Sequence, residues 1–241
     1  VLELVSGGPF AALVRSVANT EAGDGLQSTC ASANAAGDCV DSSDSCDGST
    51  LEVVSNSRSY LLQEYDSACE GIPFGNDNYS CVDYTEGQLI LSGRELSFDV
   101  DLSATGCGCN AAVYLASMAQ NPDPSTCKDY YCDANSVCGV RCDELDLMEA
   151  NRWAFIATAH TRDDGNGVGF GLGHYVLRKE SRFRPSEVCP YGPATTCTIN
   201  TLGPFTARYK FTSADQPFSY NLTLVQGKQS ITAGPVAYQD P

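Results

Sequence analysis

The sequence predicts an all-β protein, a sandwich or a barrel. From Leu51 onward apolar and polar residues alternate with a period of two. Turn signals punctuate these short runs, and no stretch shows a long helical period. At 241 residues, a single domain over 1–241 is the expected organisation, since β-sandwiches commonly run this long.

Val1 to Val17 is moderately apolar and hard to assign. Asn19 to Ser49 is rich in Ala, Gly, Ser, Asp and Cys, so 1–50 reads as a loop-rich, disulfide-tied N-terminal part. Leu51–Val54 and Ser57–Tyr65 read as strands, and Asp66–Glu86 as a loop. Gln88–Leu91 and Glu95–Leu102 are expected to form a hairpin through Ser92-Gly93-Arg94. In the second of these, Leu96, Phe98, Val100 and Leu102 alternate with Ser97, Asp99 and Asp101, the pattern of a half-buried strand. Ala111–Met118 is another strand, and Ala119–Arg141 a long loop with prolines and cysteines.

Trp153–Thr161 alternates again, with Trp153, Phe155, Ala157 and Ala159 on one side, which places Trp153 in the core. Val168–Leu177 carries glycines at alternate positions; a glycine face lets a backbone or ligand approach closely. Phe205–Thr212, Phe218–Gln226 and Gln229–Ala233 complete the strands.

A net charge of −16, from 14 basic and 30 acidic residues, excludes nucleic acid and anionic membranes as expected partners. No apolar run has the length of a membrane span, and the chain reads as a processed mature form. Thirteen cysteines predict an oxidising, extracellular setting, with at least one left over. Cys127, Cys132, Cys138 and Cys142 lack the C-x2-C spacing of zinc sites, so neither a metal nor a cofactor is expected. The sequons at Asn78-Tyr-Ser80 and Asn221-Leu-Thr223 agree with a secreted glycoprotein.

The chemistry concentrates in Glu144-Leu-Asp-Leu-Met-Glu149, an E-x-D-x-x-E pattern threaded with apolar residues. On a strand Glu144 and Asp146 share a face, and Glu149 has the wrong parity. One extra residue near Leu147 or Met148, a β-bulge, brings it back. The two Glu Cα atoms are then roughly 13 Å apart. Side chains leaning together bring the carboxyls within about 5–5.5 Å, the spacing of a retaining glycosidase. Asp146 between them is placed to push their pKa values apart.

Several motifs, in order, resemble family 7 glycoside hydrolases, the fungal-type cellobiohydrolases and endoglucanases. Glu144 to Asn151 resembles the family's E-x-D-x-x-E-A-N signature. Leu96-Ser-Phe-Asp-Val-Asp-Leu-Ser103, Cys107-Gly-Cys-Asn-Ala-Ala-Val-Tyr114 and Tyr131-Cys-Asp133 look like upstream family motifs. His160 stands eleven residues after Glu149, and Tyr191-Gly-Pro193 and Gly203-Pro-Phe-Thr206 continue the likeness.

The resemblance implies a concanavalin A-like β-sandwich (jelly roll) of two antiparallel sheets with a glycan groove. It implies Glu144 as nucleophile, Glu149 as acid/base and Asp146 as helper, with His160 and Asp133 supporting. Tyr114, Tyr131 and Asn151 are the implied sugar-binding residues, while His174 has no such match. Met148 stands where the family usually has Trp, and Trp153 is the only tryptophan, which favours an open, endo-acting cleft over a tunnel. Family members are longer, so a second chain or a missing segment is expected to complete the sandwich unless this is a compact relative.

The expected function is a secreted retaining endo-β-glucanase acting on β-1,4-linked or mixed-linkage glucan. Family 16 glucanases of the same clan carry the similar E-I-D-I-M-E, so an endo-β-1,3-glucanase is the alternative. A non-catalytic glycan-binding or cell-wall protein is the alternative from a different class.

Overall fold

The computed structural model describes residues 89–106, 109–117, 132–136, 139–160 and 189–236 with their side chains, and the backbone of the further strands named here. The strands are β1 (Ala11–Ala18), β2 (Thr29–Ala33), β3 (Cys39–Val40), β4 (Ser45–Cys46), β5 (Leu51–Glu52), β6 (Ser57–Leu61), β7 (Glu95–Val100) and β8 (Cys109–Ala116). They continue with β9 (Glu144–Ala150), β10 (Ala154–His160), β11 (His174–Arg178), β12 (Cys189–Gly192), β13 (Cys197–Asn200), β14 (Phe205–Phe211), β15 (Ser219–Gln226) and β16 (Gln229–Ala237).

Two sheets dominate. One has eight strands in the order β11-β10-β9-β8-β1-β6-β2-β3, the other four in the order β16-β15-β14-β7. Pairing is antiparallel in both except between β2 and β6. Small parallel β12–β13 and antiparallel β4–β5 ribbons complete the strands.

Alternation builds the core between the sheets. Leu96, Phe98 and Val100 of β7, Phe205, Ala207, Tyr209 and Phe211 of β14, and Tyr220, Leu222 and Leu224 of β15 are buried. Glu95, Asp99, Arg208 and Lys210 on the opposite face are exposed. Against them lie Val113 and Leu115 of β8, Leu145, Leu147 and Met148 of β9, and Phe155, Ala157 and Ala159 of β10. Aromatic rings fill the centre. Phe98 stacks on Tyr209 at 5.6 Å between centroids, and Tyr191 meets Phe155 and Phe205 edge-on at 5.9 Å each.

Several expectations are corrected. Gln88–Leu91 does not pair with β7; Leu89 and Leu91 are buried, but 89–91 is not strand. Its apolar residues fill the core before a turn at Gly93, whose φ of 69° suits a residue without Cβ. The partner of β7 is β14, with Thr206 opposite Asp99. Within 1–50, read as loop, β1 lies inside the large sheet between β8 and β6, and β2 and β3 extend its edge. Trp153 is not core. The side-chain oxygen of Asn151 accepts from the N–H groups of Trp153 and Ala154, making a turn that takes Trp153 out of the strand's alternation. Its half-buried ring stacks under the Arg152 guanidinium at 4.7 Å.

That turn is held from outside as well. The Tyr191 hydroxyl donates to the carbonyl of Asn151 at 2.8 Å, and the Thr201 hydroxyl to that of Arg152 at 2.8 Å. Cys189–Cys197 staples β12 to β13, and Cys132–Cys142 staples the approach to β9, so these two thiols of the cysteine-rich stretch are used by each other. Among the described residues Cys109 is a free thiol. Asn221 is exposed on β15, as its alternation requires; Asn78, Tyr131 and the glycines at 167–173 lie outside the described residues.

Candidate active site

The site begins with an irregularity in β9. Along β8, Val113 faces Met148 and the next residue, Tyr114, faces Asp146, so Leu147 has no counterpart. Along β10, Ile156 faces Glu149 and Thr158 faces Asp146, leaving Leu147 and Met148 opposite Ala157 alone. This is the expected one-residue bulge, and both Leu147 and Met148 are buried in the core. Glu149 therefore returns to the face of Asp146. Their cross-strand neighbours, Ala112 and Tyr114 on β8 and Ile156 and Thr158 on β10, alternate along one face. Glu144 belongs to the same row, between Ala116 and His160.

Each acid has a different environment. Glu144 is buried, and its Oε2 accepts the backbone N–H of Ala134 at 3.1 Å. Ala134 is held there by the Cys132–Cys142 staple and by Cys142, whose N–H donates to the Asp133 carbonyl at 3.2 Å. Asp146 is half-buried, with Oδ2 3.0 Å from Nε2 of His160. Glu149, also half-buried, accepts from the Asn110 side-chain N–H at 3.0 Å through Oε1.

Burial is the largest cause that pushes the Glu144 carboxyl up to about 8 from an ordinary 4.5. The neighbouring charges of Asp146 and Asp133 add to the rise; the Ala134 N–H and His160 oppose it. Glu144 thus holds a proton at neutral pH in the free protein. Its titration is shared with the adjoining acids.

The sequence-predicted residues divide clearly. Glu144, Asp146, Glu149 and His160 come together on one face, with Asp133 buried beside Glu144. Tyr114 lies opposite Asp146 but is only 3 % exposed, so it is a wall of the site rather than an open stacking surface. Asn151, expected among sugar-binding residues, serves the backbone instead. Besides holding the turn, it donates to the Cys109 carbonyl at 3.1 Å. Its amide is taken up in this way because a turn joining β9 to β10 leaves N–H groups that need an acceptor. Sequence reasoning missed Asn110 and the Ala134 N–H. Asn110 has the parity of Tyr114 within one motif, a signal that was present; the donor on Ala134 depends on a disulfide that no spacing specifies.

Comparison with known proteins agrees with the motifs. The model of glycosyl hydrolase family 7 matches residues 27–136, a stretch that ends before β9. "Endoglucanase EG-1" of Hypocrea jecorina is 31% identical over 162 residues, covering 58% of this chain and 33% of that protein. "Probable endo-beta-1,4-glucanase celB" of Aspergillus clavatus is 29% identical over 192 residues, covering 66% of this chain and 40% of that protein. A solved family 7 cellobiohydrolase from Daphnia pulex aligns with a TM-score of 0.45 and 22% identity over 61% of this chain and 46% of its own. The chain spans about a third to two fifths of the length of these two curated relatives. On the family match and these relatives, the chain belongs to glycosyl hydrolase family 7 and spans part of the length its relatives have.

Proposed function

We propose that the protein is a secreted, cellulase-like retaining endo-β-glucanase acting on β-1,4-linked glucan, and that residues 1–241 belong to one catalytic sandwich domain. The observation that carries this reading is the bulge at Leu147, which sets Glu144, Asp146 and Glu149 in one row beside His160. The names of the relatives support the β-1,4 linkage, and the disulfides support an extracellular setting.

In this reading an oxygen of ionised Glu144 attacks the anomeric carbon as the glycosidic C–O bond breaks. Glu149 gives its proton to the leaving oxygen, and a glycosyl ester of Glu144 remains. Water then attacks the same carbon, Glu149 takes its proton, and Glu144 leaves with the β-configuration restored. Positive charge developing on the sugar favours the ionised form of Glu144 when it is needed. Asn110 fixes the Glu149 carboxyl from one side, and His160 holds Asp146 beside the nucleophile.

The test is to incubate the protein with carboxymethyl-cellulose, laminarin and mixed-linkage glucan while following new reducing ends. Release from the first, with the β-anomer formed first, is expected. Release from laminarin alone points to β-1,3 chemistry, and binding without release on all three points to a glycan-binding protein.

A second outcome tests the role of Asp146. Its negative charge raises the Glu144 pKa, so Asp146→Asn lets Glu144 ionise at lower pH. The acid limb of kcat/KM moves down by about one pH unit. The rate at its plateau falls about tenfold to a hundredfold as His160 loses its carboxylate partner. An acid limb that stays put separates Asp146 from the titration of Glu144.

A further inference from the structure

We propose that Tyr209 is a positioning residue for the reaction: from the opposite sheet, its hydroxyl holds the bulge that sets the spacing of Glu144 and Glu149. This rests on the glucanase reading given above.

Leu147 is the extra residue of the bulge, without a counterpart on β8. A bulged residue loses regular ladder pairing, and a buried carbonyl must find another donor. The Leu147 carbonyl receives the Tyr209 hydroxyl at 2.8 Å, wholly inside the core. Tyr209 has no freedom to deliver that bond elsewhere. It is 0% exposed, its ring stacks on Phe98 at 5.6 Å, and it meets Tyr220 edge-on at 5.8 Å. Burial also drives its ionisation well above the ordinary value of 10, so it remains a donor over any working pH.

The geometric consequence is direct. Glu149 faces the same way as Asp146 only while one residue more stands on β9 than on its neighbours. If the bulge relaxes or migrates, Glu149 turns relative to Glu144, and proton donation is affected before nucleophilic position. Tyr209 lies on the far side of β9 from the carboxylates and touches no reacting atom.

The experiment uses Tyr209→Phe, which keeps the ring and removes the hydroxyl. With aryl cellobiosides, kcat/KM is expected to fall about tenfold or more for a poor leaving group, which needs protonation by Glu149. For a dinitrophenyl leaving group, which needs none, the fall is about threefold or less. Titration of the 13C-labelled Glu149 carboxyl is expected to move by about half a pH unit or more, while exposed Glu95 does not move. A general loss of stability gives neither the leaving-group split nor the selective shift. Equal losses for both leaving groups together with an unmoved Glu149 titration overturn the proposal.

If Tyr209→Phe yields no folded protein, replacing Met148 by its α-hydroxy acid makes the Leu147 carbonyl a weaker acceptor without touching Tyr209. The same two readings then decide. Should the unaltered protein hydrolyse nothing, the glucanase reading fails, and the carboxyl titration alone decides whether Tyr209 sets the acids.

Discussion

Glu144→Gln is expected to abolish turnover and to make the protein harder to unfold at alkaline pH. As the attacking group, Glu144 has no substitute within the row, and an amide does not form the glycosyl ester. The rate on carboxymethyl-cellulose should fall about a thousandfold or more. The gain in stability follows from linkage. Folding raises the carboxyl from 4.5 to about 8, so the folded state binds this proton more tightly than the unfolded chain. That contribution is fully present below pH 4.5 and is lost as pH rises through about 8. Gln keeps the neutral form at every pH. The two proteins should therefore unfold alike near pH 4 and differ above pH 8, with Gln ahead by on the order of 3 kcal/mol. Urea midpoints at both pH values measure it, and a Gln variant weaker than its parent at pH 9 removes the buried-proton account.

Replacing both Cys132 and Cys142 by Ala is expected to affect the same carboxyl from a distance. The pair joins residues ten apart, with 5.6 Å between Cα atoms, and frames the loop that carries Ala134 to Glu144. Losing a staple of this size costs about 2–4 kcal/mol, mostly through a less restricted unfolded chain. Local loosening matters more for the chemistry. The Ala134 N–H favours the ionised form of Glu144, so a wandering donor lets the pKa climb further. The acid limb of kcat/KM moves to higher pH, and at pH 5 the rate falls about tenfold. A pH profile beside a urea curve separates the parts: lower stability with an unchanged acid limb confines the disulfide to the scaffold.

The sequence disclosed the site better than the scaffold. A parity error in Glu144–Glu149 can be read from six letters, because alternation on a strand is strict and a misplaced acid demands a bulge. The half-buried strands β7 and β14 were equally plain, since one face is core and the other solvent. Their pairing was not, for the period of a strand does not name its neighbour, and β7 chose β14 across more than a hundred residues. β1 was missed because a strand inside a large sheet need not alternate in polarity, and Ala11–Ala18 does so poorly. Cross-sheet contacts such as Tyr209 to Leu147 have no local signature, since each residue looks like ordinary core.

The grip of Tyr191 and Thr201 on the β9–β10 turn bears on how such a cleft would treat its guest. A connector clasped at two successive carbonyls is a poor hinge, so the acids cannot travel far to meet an incoming polymer. The pliant partner is then the glucan, whose pyranose must pucker against a rigid anvil before its bond is cut.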